Sequence, residues 1–357
     1  MRVKQMLDQY ARHSNKKQVF LILLLAIIVI AAVISLLMGP SEIGFKELIN
    51  LISGKTTGVE SQIILHLRLP RILAALLSGM ALSVAGASMQ SILKNPLGSP
   101  FTLGISNAAA FGAAFAVIVL KAGSMHSSGS DSVLVNNPYL ITLSAFAWSL
   151  AACFLILLVA RMRGATPENM ILAGIIASSL FMALTTGLQY VADDIELAAI
   201  VFWTFGDLSK GGWHELLIQA MILIPALVFF MRNSWNFNAL DSGDETAQSM
   251  GVNIFRFRLW TLVIASLATA SVVSFYGIIA FVGLVVPHIV RRLIGSNERF
   301  LLPGSALMGA AFLLVCDVLA RTVISPLVLP VGILTSVVGA PLFIFLLIKG
   351  IGASQWK

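Results

Sequence analysis

The chain has 357 residues, of which 58% are hydrophobic and 11% charged, with a mean hydropathy of +0.93 and a net charge of +7. An ordinary soluble domain carries about 25% charged residues, and one this apolar could not cover its own surface, so most of the solvent is lipid. That excludes a soluble enzyme, a DNA-binding module and a disordered scaffold, and two cysteines inside apolar runs exclude a disulfide framework and a cysteine metal site.

A helix needs about 20 mostly apolar residues to cross a bilayer. In chain order, the pattern predicts crossings over 18–38, 69–93, 101–120, 138–160, 168–190, 213–232, 256–274, 277–294, 301–323 and 329–348, ten in all. The first has a longer apolar core than a cleaved signal peptide and no small-residue cleavage site after it. Between the fifth and sixth crossings, 194–208 is amphipathic and too short to span after Asp193, Asp194 and Glu196. It reads as a partial helix returning into the protein, where non-helical backbone is tolerated. From Leu259 to Val290 there is no charge, and Phe275-Tyr276-Gly277 is the break that divides this stretch into two crossings.

Ten crossings put both termini on one side. With the termini inside, 16 of the 23 Lys and Arg lie on the cytoplasmic side and 7 outside. That satisfies the positive-inside bias, so the basic charge calls for no nucleic-acid partner. The organisation follows as a cytoplasmic segment 1–17, a ten-helix membrane domain 18–350 and a cytoplasmic tail 351–357.

Small residues crowd the helix containing Ser78, Gly79, Ser83, Gly86 and Ala87, and Gly104, Ala108 and Gly112 share one face, as close helix packing in lipid requires. No crossing holds a central charge, which speaks against a proton- or sodium-coupled carrier; Asp317 and Arg321, four apart near an outer helix end, suit a local pair. The five histidines are scattered and the methionines unclustered, so no metal site is predicted. Gly54-Lys55-Thr56 imitates the tail of a phosphate-binding loop, but the first glycine would fall on Ile49, so transport, if driven by ATP, would need its ATPase from a partner.

Two cytoplasmic loops stand out. Asn95-Pro96-Leu97-Gly98-Ser99-Pro100 makes a tight turn. The loop of about 233–258 holds a short segment that Ser242 or Asp244 could cap and Gly251 could end, either a docking knob or a solvated linker.

Ordered along the chain are Leu67-Arg68-Leu69-Pro70-Arg71, Gly86-Ala87 through Gln90, Asn95-Pro96-Leu97-Gly98, Leu103-Gly104-Ile105-Ser106, Trp203 with Gly206 and Trp213, and Gly243-Asp244-Glu245 with Ala247 and Gly251. Gly283-Leu284-Val285-Val286-Pro287-His288, Leu301-Leu302-Pro303-Gly304, Asp317 to Arg321, Leu329-Pro330-Val331-Gly332 and Gly339-Ala340-Pro341 follow. Together they resemble the FecCD/BtuC-type permeases, the membrane subunits of ABC importers for iron-siderophores, haem and cobalamin, over about residues 20–350.

The resemblance implies an all-α integral membrane protein with ten transmembrane helices, a BtuC-like type II importer permease of the prokaryotic inner (cytoplasmic) membrane. It implies a second permease copy or paralogue, two ABC ATPase subunits that carry the ATP and Mg, an external substrate-binding protein, and no cofactor on this subunit. By the same resemblance Gly243, Asp244, Glu245, Ala247, Met250 and Gly251 couple to the ATPase, and Asn95, Leu97, Ala165 and Thr166 form the cytoplasmic gate. Asp244 and Thr246 stand where relatives often carry Glu and Ala, and Ala165 replaces a more usual small polar residue. Arg68, Arg71 and Arg321 match arginines that meet acidic groups of the binding protein; bidentate pairing suits them, while snorkelling or a local pair is the bland reading. Ferric siderophore is the first cargo, with haem and cobalamin the alternatives. A stand-alone channel or secondary carrier is the alternative of another class.

Overall fold

The computed structural model describes residues 2–38, 44, 58–122, 137–324 and 327–348. Gly54-Lys55-Thr56 and the tail 351–357 lie outside them.

The first helix, α1 (Arg2–Leu37), runs unbroken through the predicted boundary at residue 17. The second, α2 (Val59–Leu93), starts ten residues before the predicted 69 and includes a wide π turn over Ile63–Arg68. Pro70 explains the turn: it has no N–H to offer the carbonyl four residues back, so the ladder widens there. After α2 the chain turns at Lys94, in the left-handed region, and enters α3 (Ile105–Ile118) through Gly104, also left-handed at φ 79°. The predicted helix start at 101 is therefore corrected to 105. Gly104 sits against the backbone of Ser178, where a Cβ has no room.

Next come α4 (Pro138–Arg163), α5 (Pro167–Val191) and the partial helix α6 (Asp194–Thr204). Asp193 caps α6 reciprocally: its carboxylate accepts the Glu196 N–H at 2.7 Å, and Glu196 accepts the Asp193 N–H. Ile200 and Trp203 of α6 bury against α3, so the segment does return into the protein. The remaining helices are α7 (Trp213–Arg232), α8 (Ser234–Asp241), α9 (Asp244–Ser249), α10 (Ile254–Tyr276), α11 (Val282–Ile294), α12 (Glu298–Thr322) and α13 (Val331–Ile348).

Among the described residues, seven helices (α1, α2, α4, α5, α7, α10 and α12) are long and apolar enough to cross a membrane. The other three predicted crossings are shorter: α3, α13 and the 13-residue α11. The eighth predicted crossing began at 277. Gly277 does end α10, at φ 79°, but the chain stays non-helical through Phe281.

Backbone outside helices must find partners when no water is near. Here the breaks satisfy one another: Asp207 N–H donates to the Tyr276 carbonyl at 2.7 Å and Gly332 N–H to the Gly206 carbonyl at 3.2 Å. Gly206, Gly277 and Gly332 pack so closely on neighbouring carbonyls that none could carry a side chain.

The core lies where α2 meets α10, α11 and α12. Gly86 faces Gly283 in backbone-to-backbone contact, and the Ser83 hydroxyl donates to the Ser305 carbonyl at 2.7 Å. A buried polar chain links three helices: the Tyr276 hydroxyl donates to Gln219, whose amide donates to Ser78 at 2.9 Å. Small residues at the contacts let the helices approach, as packing in lipid demands.

Candidate functional site

One end of the bundle gathers the predicted gate and coupling residues. The turn after α2 is closed by Asn95, whose side-chain oxygen accepts the Leu97 N–H at 2.8 Å and whose carbonyl accepts the Gly98 N–H at 2.9 Å. This is the Asx-type turn its sequence calls for, and it leaves Leu97 exposed. Ala165 is buried, while Thr166 caps α5 by accepting the Asn169 N–H.

The segment 243–251 forms a knob. Gly243, at φ 115°, opens α9, and Gly251, at φ 87°, closes it. The closing bonds run from Gly251 N–H to the Gln248 carbonyl and from Val252 N–H to the Ala247 carbonyl, both 3.0 Å, the pair that defines a Schellman ending. Ala247 is fully buried and anchors α9, while Glu245, Gln248 and Met250 face outward. The capping expected of Ser242 or Asp244 is corrected: Gly243 is the cap and receives no side-chain bond. The Ser242 hydroxyl turns back to the Asn238 carbonyl, and Asp244 is engaged elsewhere.

The Asp244 carboxylate meets Lys94 Nζ at 2.7 Å and Arg258 Nη2 at 3.0 Å. Burial pushes its carboxyl up, but the Lys94 hydrogen bond and the charges of Arg258 and Lys94 outweigh this and hold it below the usual carboxylate range. Arg258 was legible only as one more cytoplasmic charge. It is 3% exposed, and it also donates to the carbonyls of Ile92 and Ala165, each at 3.1 Å. A cavity of about 540 Å³ opens beside it, lined by Ala165, Thr166, Gln248, Gly251 and Val252 among others. The structure therefore brings Ala165 and Thr166 of the gate group beside Gly251 of the coupling group.

The three arginines expected to dock a binding protein lie at the opposite end and point inward. Arg68, 5% exposed, donates to the Leu36 and Leu37 carbonyls at the end of α1. Arg321, equally buried, pairs with Asp317 at 3.1 Å and donates to Met38 O at 3.2 Å and to the Ser35 hydroxyl. Arg71 Nε donates to Asp317 at 2.7 Å. The local Asp317–Arg321 pair is thus present, with Arg71 as a third member that spacing could not show.

A helical membrane bundle with paired internal breaks and an outward-facing knob beside its turn loops is the frame of a membrane transport subunit. The chain belongs to the FecCD transport family, which it matches over residues 25–349, and so to the permease subunits of ABC importers, which transport and catalyse no bond change. It is 50% identical over 342 residues to a protein of Methanocaldococcus jannaschii provisionally designated an ABC transporter permease, covering 96% of this chain and 97% of that one. It is 36% identical to the haemin transport system permease of Yersinia pestis, covering 91% and 94% of the two chains. With the vitamin B12 import permease of Vibrio vulnificus the figures are 33%, 96% and 98%. A solved inward-facing transporter described as of metal-chelate type superposes with a TM-score of 0.80 at 31% identity, covering 92% of this chain and 98% of that one.

Proposed function

We propose that this chain carries ferric siderophores inward across the prokaryotic cytoplasmic membrane, through a pathway formed with a second permease copy or paralogue. An external binding protein delivers the chelate, and two ATPase subunits, holding ATP and Mg, drive alternating access. Both termini face the cytoplasm in this reading. The observation that carries it is the extended likeness to a metal-chelate type transporter, over nearly the whole of both chains. Haem and cobalamin are the alternative cargoes, since relatives at similar identity are named for them.

In this reading the ATPase grips the exposed side of 243–251, where Glu245 and Met250 face outward on a segment pinned by Ala247. Asp244 stays on the inner side of that grip. The turns at Asn95 and Leu97 and at Ala165 and Thr166 form the inner gate. The inward pairing of Arg68, Arg71 and Arg321 favours a brace that ties α1 to α2 and α12 over contact with the binding protein.

The test is uptake of labelled ferric siderophore, cobalamin and haemin by cells with and without the gene. Loss of siderophore uptake alone supports the reading. Loss of cobalamin or haemin uptake keeps the machinery and changes the cargo, and uptake without any ATPase would establish a stand-alone carrier.

A further inference from the structure

Arg258 is a buried cation in the second turn of α10, and the first turn contains no acid to pair with it. A buried guanidinium loses its hydration, so its position must be sustained by what it bonds. Its three nitrogens each serve a different segment. Nε donates to Ile92 in the last turn of α2, Nη1 to Ala165 in the turn between α4 and α5, and Nη2 to Asp244 at the start of α9. Lys94, two residues beyond Ile92, closes the figure on Asp244 at 2.7 Å.

We propose that Arg258 is the positioning residue that transmits movement of the 243–251 knob to both inner turn loops. This deepens the importer reading and rests on it. A planar guanidinium holds its donors in one fixed fork, so three segments bonded to it are fixed relative to one another. Displacement of Asp244 must then carry Ala165 and the end of α2 with it, or break a charge-assisted bond. The adjacent cavity leaves room for that displacement. Arg258→Lys keeps the charge but loses the fork, because an ammonium is a point donor on a flexible stem. Asp244→Asn cuts the knob end and leaves the Ile92 and Ala165 bonds in place.

The experiment uses the complex purified with its own ATPase subunits, reconstituted in lipid and supplied with its external binding protein. Spin labels go on Leu97→Cys and Thr166→Cys, with the buried Cys153 and Cys316 replaced by Ser. The readouts are label separation without nucleotide and with trapped ATP, the ATPase rate, and uptake of radio-iron-labelled ferrichrome per ATP. The parent complex is expected to change separation on ATP binding. Arg258→Lys and Asp244→Asn are compared with the parent by movement and uptake per ATP hydrolysed, whatever their ATPase rate. Their label separation is expected no longer to respond, and uptake per ATP to fall about tenfold, the cost of one charge-assisted bond. A structural role alone would lower assembly without separating hydrolysis from movement. If Arg258→Lys assembles poorly, Asp244→Asn carries the same test. The proposal is overturned if both variants move their labels as the parent does. A parent complex that never responds to ATP overturns the importer reading as well. The label readout does not depend on cargo, so an error over ferrichrome leaves it intact.

Discussion

Gly79 and Gly309 meet face to face where α2 crosses α12. A Cβ on Gly79 would overlap the Gly309 carbonyl oxygen, and a Cβ on Gly309 would overlap that of Gly79. The obstacle on each side is main chain, which cannot rotate away as a long side chain can. Overpacking a filled core costs about 1–3 kcal/mol, and Gly79→Val and Gly309→Val are expected at the upper end. Thermal unfolding in detergent checks this. Gly187→Ala is the control, since nothing lies within 4 Å of its Cβ position; a Gly79→Val protein as stable as that control would refute the contact.

Asp244 links the knob to pH. Its ordinary carboxyl value is 3.8, and the folded value lies below that. A depressed carboxylate contributes stability above its unfolded value, and that contribution is lost as pH falls through the folded one. The midpoint difference between the parent and Asp244→Asn should therefore be constant from neutral pH down to 3.8 and shrink below it. A difference that shrinks between pH 7 and pH 5 would mean that Lys94 and Arg258 do not hold the ionised form.

The two glycines framing α9 are unequal. Gly251, at φ 87°, has open space around its Cβ position, so Gly251→Ala meets only the left-handed penalty of about 1–2 kcal/mol. Gly243 stands at φ 115° and ψ 151°, a region nearly closed to other residues, and Gly243→Ala is expected to cost about 1–3 kcal/mol. If the knob is the ATPase contact, Gly243→Ala should reduce uptake per ATP more than Gly251→Ala. Comparing coupling ratios in reconstituted complexes decides it, and equal effects would place the contact away from the start of α9.

Much of this was legible in the sequence. Long apolar runs fix their own helices, Gly251 marks the end of the knob, though its start at Gly243 was expected at Ser242 or Asp244, and Gly277 marks a break because a glycine tolerates its φ. Asn95 followed by proline announces its turn. What stayed hidden depends on partners far along the chain. Arg71 meets Asp317 across 246 residues, and Arg258 meets Ala165 across 93. Phe281 was unforeseeable for a different reason. A bulky residue at φ 67° is disfavoured locally, and it is accommodated because Gly339 leaves room against its ring.

The arginine group shares one acid. Asp317 is fully buried and supplies the carboxylate for both Arg71 and Arg321. Removing one partner of a buried pair leaves an uncompensated charge and costs about 3–5 kcal/mol. Asp317→Asn takes the shared carboxylate from two guanidiniums and leaves Arg71 only Asp207, at 3.9 Å, so a loss in that range is expected, read as a drop in thermal midpoint. Arg68→Ala should loosen α1 from α2, because its bonds to Leu36 and Leu37 are what it contributes there. If these residues brace the bundle, the folded fraction of either variant will bind the external protein with unchanged affinity at low salt. If they dock it, Arg68→Ala will weaken binding while the midpoint stays put. A surface ion pair is screened by salt and a buried one is screened little, so repeating the titration at high salt separates the two roles.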